Sequence, residues 1–330
     1  MPTPHGGPAA VKADMIRRNM AKKHTVIHLL EYLGLKAALA VFGVMGLDRA
    51  SAAGGRLARF VGPKLGISNR ARANIRRAMP ELSPKEVECI VVGMWENLGR
   101  TVGEYAHLEK FMRPEERHRI EIVGAGALRA MAEAGCGGVF VSGHFANWEL
   151  LPVVMHFEGV EGGEVYRHAN NPFVNEWMVS LRARLTRATQ IPKSGPGARV
   201  IVRLMREDKF VAMLTDQKLN DGIEAMMFGI RAMTTGAPAG LAVRYNIPVV
   251  PACIERLDGA HFRVTVYNPI TARPDAEPFD EVMRITQEIN DFLEARIRAR
   301  PHEWFWLHDR WSVRPWHLHR ITAAQADSPE

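Results

Sequence analysis

His144 and Glu149 stand with four residues between them in the run HFANWE, directly after the apolar segment GVFVS at 138–142. An imidazole can take a proton from an attacking hydroxyl. A carboxylate beside it can fix its tautomer and offset its charge. In an ideal helix, positions five apart lie about 140° apart around the axis, so they share no face. The pair can meet only if His144 stays in the turn after Gly143 and Glu149 lies inside the helix that follows. An apolar strand that delivers polar groups into a glycine turn and a helix start is how open α/β sheets present functional residues. The spacing also arises by chance, and a histidine at a helix start is often a cap, so the pair needs support from the rest of the chain.

Polar groups recur where other apolar runs finish. Tyr166 and Arg167 end EVYR (164–167), with Asn171 and Pro172 close behind, and Asp216 and Gln217 follow FVAML (210–214). Taken alone, Asp216 and Gln217 read as a turn or helix cap, and Arg167 as a surface charge. Near the C-terminus, Trp304, Trp306 and Trp311 lie among His302, His308, Arg310 and Arg314, a pattern that suits an aromatic cover on a core. His302 and His308 are six apart with no third ligand at a metal-type spacing. No metal or redox cofactor is implied.

The positioning elements follow from the apolar rhythm. Short apolar runs at 138–142, 164–167, 188–191, 210–214, 249–254 and 262–266 read as strands. Val174 to Leu185, Ala198 to Arg206, Ala237 to Tyr245 and Phe279 to Ala299 read as helices between and after them. This alternation predicts an α/β fold with a mixed, largely parallel sheet flanked by helices. From residue 25 to 135 the pattern is helical, and Ser83-Pro84 opens one helix. Residues 1–24 read as a flexible basic tail and the stretch after Arg320 as a disordered one. There is no internal repeat and no glycine-rich phosphate loop.

At 330 residues, with 47% hydrophobic and 24% charged, the chain can bury one large core, and wholesale disorder is excluded. Cys89, Cys136 and Cys253 have no metal-type spacing and need no disulfide. A net charge of +7 points to anionic partners. Basic residues crowd two regions, Lys12 to Lys23 and Arg56 to Arg77, and between them lies the mostly apolar stretch Val26 to Leu47. Only its eleven residues Ala37 to Leu47 are free of charge, too few to cross hydrocarbon. A helix lying among headgroups, or an imperfect anchor, fits this stretch best, with a buried core helix as the alternative. Ala50-Ser51-Ala52 looks like a cleavage site, but Asp48 and Arg49 just before it argue against cleavage. The basic stretches hold almost no aromatics, so nucleic acid is disfavoured as a partner.

Several blocks together resemble the lipid A late acyltransferase family, the lauroyl and myristoyl transferases of Gram-negative bacteria. They are NIRRAMPELS at 74–83, SGHFANWEL at 142–150, VYRHANNP at 165–172, TDQKLNDG at 215–222, MMFGIRAMTTGAPAGLA at 226–242 and PHEWFWLHDRW at 301–311. The resemblance covers about residues 25 to 315. It implies a glycerolipid acyltransferase-like fold: a tail at 1–24, a membrane-associating helix at 25–50, an acyltransferase domain at 51–320 and a terminal tail at 321–330. It implies acyl carrier protein as donor, a phosphorylated glycolipid acceptor, and placement at the cytoplasmic face of the inner membrane. By the same resemblance His144, Glu149, Arg167 and Asp216 are the catalytic candidates, and Asn147, Tyr166, Gln217 and Arg310 the substrate-binding ones. Met226 and Met227 replace the paired phenylalanines common in relatives, which bears on acyl length. Met205, Met213, Met226, Met227 and Met233 are candidates to line an acyl groove, with core packing as the alternative.

The mechanism so implied has His144 as general base and Glu149 as its orienter. Backbone N–H groups after Gly143, or Arg167, would face the thioester oxyanion. Asp216 would share in catalysis or hold Arg167 through a bidentate pair. Other lipid acceptors, among them lysophospholipids and phosphatidylinositol mannosides, and a non-catalytic membrane protein of the same fold, are the competing readings.

Overall fold

The computed structural model describes residues 8–186, 188–193 and 195–311, with side chains from residue 25 onward. The expected disordered tail after Arg320, and Arg314, lie outside the described residues. A seven-stranded sheet forms the centre, in the order β1-β9-β8-β2-β5-β3-β4. Its strands are β1 (Ile120–Val123), β2 (Gly138–Ser142), β3 (Gly162–Tyr166), β4 (Thr189–Pro192), β5 (Phe210–Leu214), β8 (Val249–Arg256) and β9 (Phe262–Val266). β8, β2, β5, β3 and β4 run parallel; β9 turns back antiparallel to β8, and β1 pairs parallel with β9. The fold is therefore the mixed, largely parallel α/β sheet that the apolar rhythm predicts.

β2 explains the sheet's centre. All five of its residues are buried, as a near-continuous apolar strand with a neighbour on each edge must be. Helices α7 (Pro172–Leu185), α8 (Gly195–Arg206), α9 (Ala237–Tyr245) and α10 (Pro278–Ala299) flank the sheet, with α8 on β3, β4 and β5 and α9 on β2 and β8.

Two features depart from the expected pattern. The stretch 25–135 is not helical throughout, because IEIV at 120–123 is the edge strand β1. Strands β6 (Ile223–Met227) and β7 (Ile230–Thr234) form a separate hairpin. Ala and Met have little strand preference, so this pair is silent in sequence. Its turn places Phe228 and Gly229 both at positive φ, as a two-residue hairpin turn with matching twist requires. Met227 and Phe228 are buried, and the Phe228 ring packs on Trp306 and Trp311. Met205 and Met213 are also buried in the core, whereas Met226 is exposed.

At the N-terminus one helix, α1, runs Pro8–Val44, so residues 8–24 continue a helix instead of forming a tail. Its Thr25–Val44 part is long and apolar enough to cross a membrane, and only 6% of its most apolar stretch is buried. That excludes a core helix. Gly46, at φ 76°, separates α1 from α2 (Leu47–Val61). α2 lies against α4 (Pro84–Tyr105) through Gly54, Gly99 and Gly103: a Cβ on Gly99 would sit 2.2 Å from the Gly54 carbonyl oxygen. α4 opens with a capping box between Ser83 and Glu86.

Candidate active site

The parallel register assembles the site. Ser142 of β2 is level with Leu214 of β5. Two residues further along each chain, His144 and Asp216 therefore emerge side by side at the carboxyl ends of adjacent strands, where open α/β sheets place ligands.

His144 Nδ1 lies 2.8 Å from Asp216 Oδ1, and the His144 backbone N–H donates to Asp216 Oδ2 at 2.9 Å. Trp304 Nε1–H donates to the same Oδ2 at 2.8 Å. Asp216 is fully buried. Burial opposes its ionisation, but the charge and hydrogen bond of His144 outweigh it, and the carboxyl is held well below the usual carboxylate range. A carboxylate only accepts, so Nδ1 carries the hydrogen and Nε2 presents its lone pair. The Gln217 amide nitrogen lies 3.4 Å from Nε2. Trp148 packs edge-on against the imidazole, with ring centroids 5.1 Å apart, and Phe305 lies on it at 6.3 Å.

Glu149, expected from the spacing to sit against the imidazole, is hydrogen-bonded elsewhere. Glu149 falls in a short 3-10 turn at Trp148–Leu150, ahead of α6 (Leu151–Phe157). Its carboxylate accepts a bidentate pair from Arg182 of α7, at 2.8 and 2.6 Å, and the Tyr105 hydroxyl of α4 at 2.9 Å. Burial raises the Glu149 pKa, but Arg182 and Tyr105 together bring it below the ordinary value. Glu149 thus ties three elements together beneath the cavity, and the His144 hydrogen bond goes to Asp216. No local signal marks Arg182 or Tyr105 as its partners, because both come from distant elements.

The turn itself is pinned. The Phe145 N–H donates to the Gly143 carbonyl and the Ala146 N–H to the Glu303 carbonyl. With the His144 N–H on Asp216, the first three backbone donors after Gly143, those of residues 144–146, are engaged and do not face an oxyanion. Ala146 is held at φ 41°. Asn147 is fully buried and donates to Glu104, which is also paired with Arg256. Arg310 is likewise fully buried, donating to the Met233 carbonyl and Thr234 Oγ1, and burial pulls its pKa down to about 10. Both were expected at the substrate. In the structure both are buried and hydrogen-bonded to other parts of the chain.

Arg167 does not pair with Asp216, whose oxygens are occupied. It is exposed and donates to Asn170 at 3.0 Å. With His144, Tyr166, Gln217, Trp148 and Lys193 it lines a cavity of about 230 Å³. A narrower cleft continues from there past Glu149 and Pro152 along β3 and β5. The arrangement offers a base with a fixed tautomer, an amide donor beside it and an open cavity with mixed polar and apolar walls, which suits proton removal from a hydroxyl during transfer to a carbonyl.

The family model for bacterial lipid A biosynthesis acyltransferases matches residues 17–313. The lipid A biosynthesis lauroyltransferase of Escherichia coli (strain K12) is 23% identical over 271 residues, covering 79% of this chain and 83% of that protein. The crystal structure of the 1-acyl-sn-glycerophosphate acyltransferase PlsC from Thermotoga maritima aligns over 84% of this chain and 99% of that one, at 10% identity and a TM-score of 0.33. The chain belongs to the bacterial lipid A biosynthesis acyltransferase family and is an acyltransferase.

Proposed function

We propose that this acyltransferase moves a fatty acyl chain from the thioester of acyl carrier protein to a hydroxyl of a lipid A precursor, with His144 as general base and Asp216 as its orienting carboxylate. The observation that carries the reading is the imidazole with Nδ1 on buried Asp216, beside an open cavity. His144 Nε2 takes the hydroxyl proton as the oxygen attacks the thioester carbonyl. The developing imidazolium is stabilised by Asp216. The oxyanion is met by the Gln217 amide, since the backbone donors of residues 144–146 are engaged. Collapse expels the thiolate, which takes the proton from Nε2. Tyr166 lines the acceptor's approach, and Glu149 acts as a positioning residue through Arg182.

Placement at the membrane is supported by α1, whose Thr25–Val44 part is nearly unburied, and by Leu57 and Phe60 of α2, 62% and 70% exposed. A membrane-associating segment at 25–50 ahead of a catalytic domain at 51–320 is part of the same proposal.

The test is transfer of labelled acyl chains from acyl carrier protein to a tetra-acylated, Kdo-bearing lipid A precursor, comparing the wild type with His144→Ala. Product from the wild type and almost none from the variant is expected. Activity surviving His144→Ala would sink the base. No wild-type transfer with several chain lengths would move the acceptor to another lipid.

A further inference from the structure

The register that joins His144 to Asp216 has a counterpart one strand over. Tyr166 of β3 is level with Pro192 of β4, and the Lys193 N–H donates to the Tyr166 carbonyl at 2.8 Å. Arg167 and Lys193, the next residues on each chain, therefore leave adjacent strand ends together. Both side chains line the cavity that holds His144 and Gln217. The third cation on its wall, Arg182, is matched by Glu149. Among the described residues lining the cavity there is no acid to match the other two. Asn175 completes the wall: its Oδ1 accepts the Ala169 N–H, which turns its amide nitrogen into a remaining donor.

We propose that Arg167 and Lys193 form an anion subsite at the rim of the catalytic cavity that holds a phosphate ester of a substrate. Two like charges side by side repel each other, and an anion between them reverses that cost. The Lys193 pKa is lowered, first by partial burial and then by the Arg167 charge, with Asp216 opposing. A guanidinium fork beside an ammonium point charge suits a tetrahedral group with several oxygens. β3 and β4 are second and third from β2 in the sheet order. At about 4.8 Å per strand, the subsite sits roughly 10–15 Å from the base, so it grips a substrate away from the reacting atom. Binding energy gathered there positions the reacting group.

Two sources share this chemistry: the phosphate of a carrier-linked thioester donor and the phosphate of a glycolipid acceptor. The inference rests on the proposed reaction only for naming these sources. Isothermal titration of the full-length protein with 4′-phosphopantetheine and with glucosamine 1-phosphate tests it, using the wild type, Lys193→Met and Lys193→Arg. We expect one probe to bind the wild type, to weaken at least tenfold in Lys193→Met, and to recover in Lys193→Arg; which probe binds identifies the source. Binding of neither probe, or equal binding to Lys193→Met, overturns the subsite. Acyl transfer in which Lys193→Met leaves the KM of both donor and acceptor unchanged also overturns it, while leaving the reaction intact. Lys193-dependent probe binding by a wild type that transfers no acyl chain supports the subsite and refutes the reaction.

Discussion

Replacing Asp216 by asparagine changes one atom and tests the tautomer argument directly. Two carboxylate oxygens accept three hydrogens: Oδ1 takes His144 Nδ1–H, and Oδ2 takes the His144 backbone N–H and the Trp304 indole N–H. An amide has one accepting oxygen. If that oxygen stays toward Nδ1, the NH2 faces two buried donors, each left unpaired at about 1–3 kcal/mol. If the amide flips, both donors keep a partner and the NH2 donates to Nδ1, which must then be unprotonated. The flipped form is favoured by roughly 2–6 kcal/mol, the sum of the two. It moves the hydrogen to Nε2, where no lone pair remains to act as a base. At 1.36 kcal/mol per decade, kcat should fall roughly 30-fold to 25,000-fold, a range that includes the roughly 10,000-fold that a wrong-tautomer histidine costs in a serine protease triad. The assay is steady-state acyl transfer, with thermal melting as a check on the fold. An Asp216→Asn enzyme with native melting and kcat within threefold of wild type would refute the reasoning that Asp216 fixes the tautomer of the base.

Glu149→Gln leaves Arg182 charged in a site where its side chain is only 16% exposed; stability should drop by about 3–5 kcal/mol in urea unfolding, as for other broken buried pairs. His308 has its pKa pushed down to about 4, mainly by burial. The unfolded chain, with an ordinary value near ~6.5, then binds the extra proton between those limits. The contribution is therefore whole above pH 6.5 and is lost as pH falls toward 4, by at most about 3 kcal/mol. Melting curves from pH 4 to 7 should show a shallower slope in His308→Phe than in the wild type, and an equal slope would count against it. Gly99→Ala sets a methyl against the Gly54 carbonyl and should destabilise by about 1–3 kcal/mol, read from the urea midpoint; an unchanged midpoint would mean α2 and α4 separate freely.

Much of the scaffold was legible because it is written locally. GVFVS, FVAML and VVPACI declare buried strands by continuous apolar character, and Ser83-Pro84 declares a helix start, which the structure completes with a capping box to Glu86. The hairpin at 223–234 was not legible, since Ile, Ala and Met alternate with Glu and Arg in segments that fit a helix equally well. The edge strand at 120–123 was lost among charged neighbours for a similar reason. The blocks around His144, Arg167 and Asp216 marked three of the four strand ends that build the cavity, the end of β4 at Lys193 being the fourth, although two of the expected substrate residues, Asn147 and Arg310, are buried framework.

The sequence by itself determined that His144 follows a buried strand, that Asp216 and Gln217 follow another, and that the fold is a mixed, largely parallel α/β sheet. It pointed to Glu149 as the partner of His144 because chain proximity is the only distance a sequence displays. Tertiary structure decided otherwise. Which strands lie side by side, and in what register, depends on side-chain packing across the whole sheet. That pairing carries Asp216 across 72 residues of chain to the imidazole and gives Glu149 to Arg182 and Tyr105.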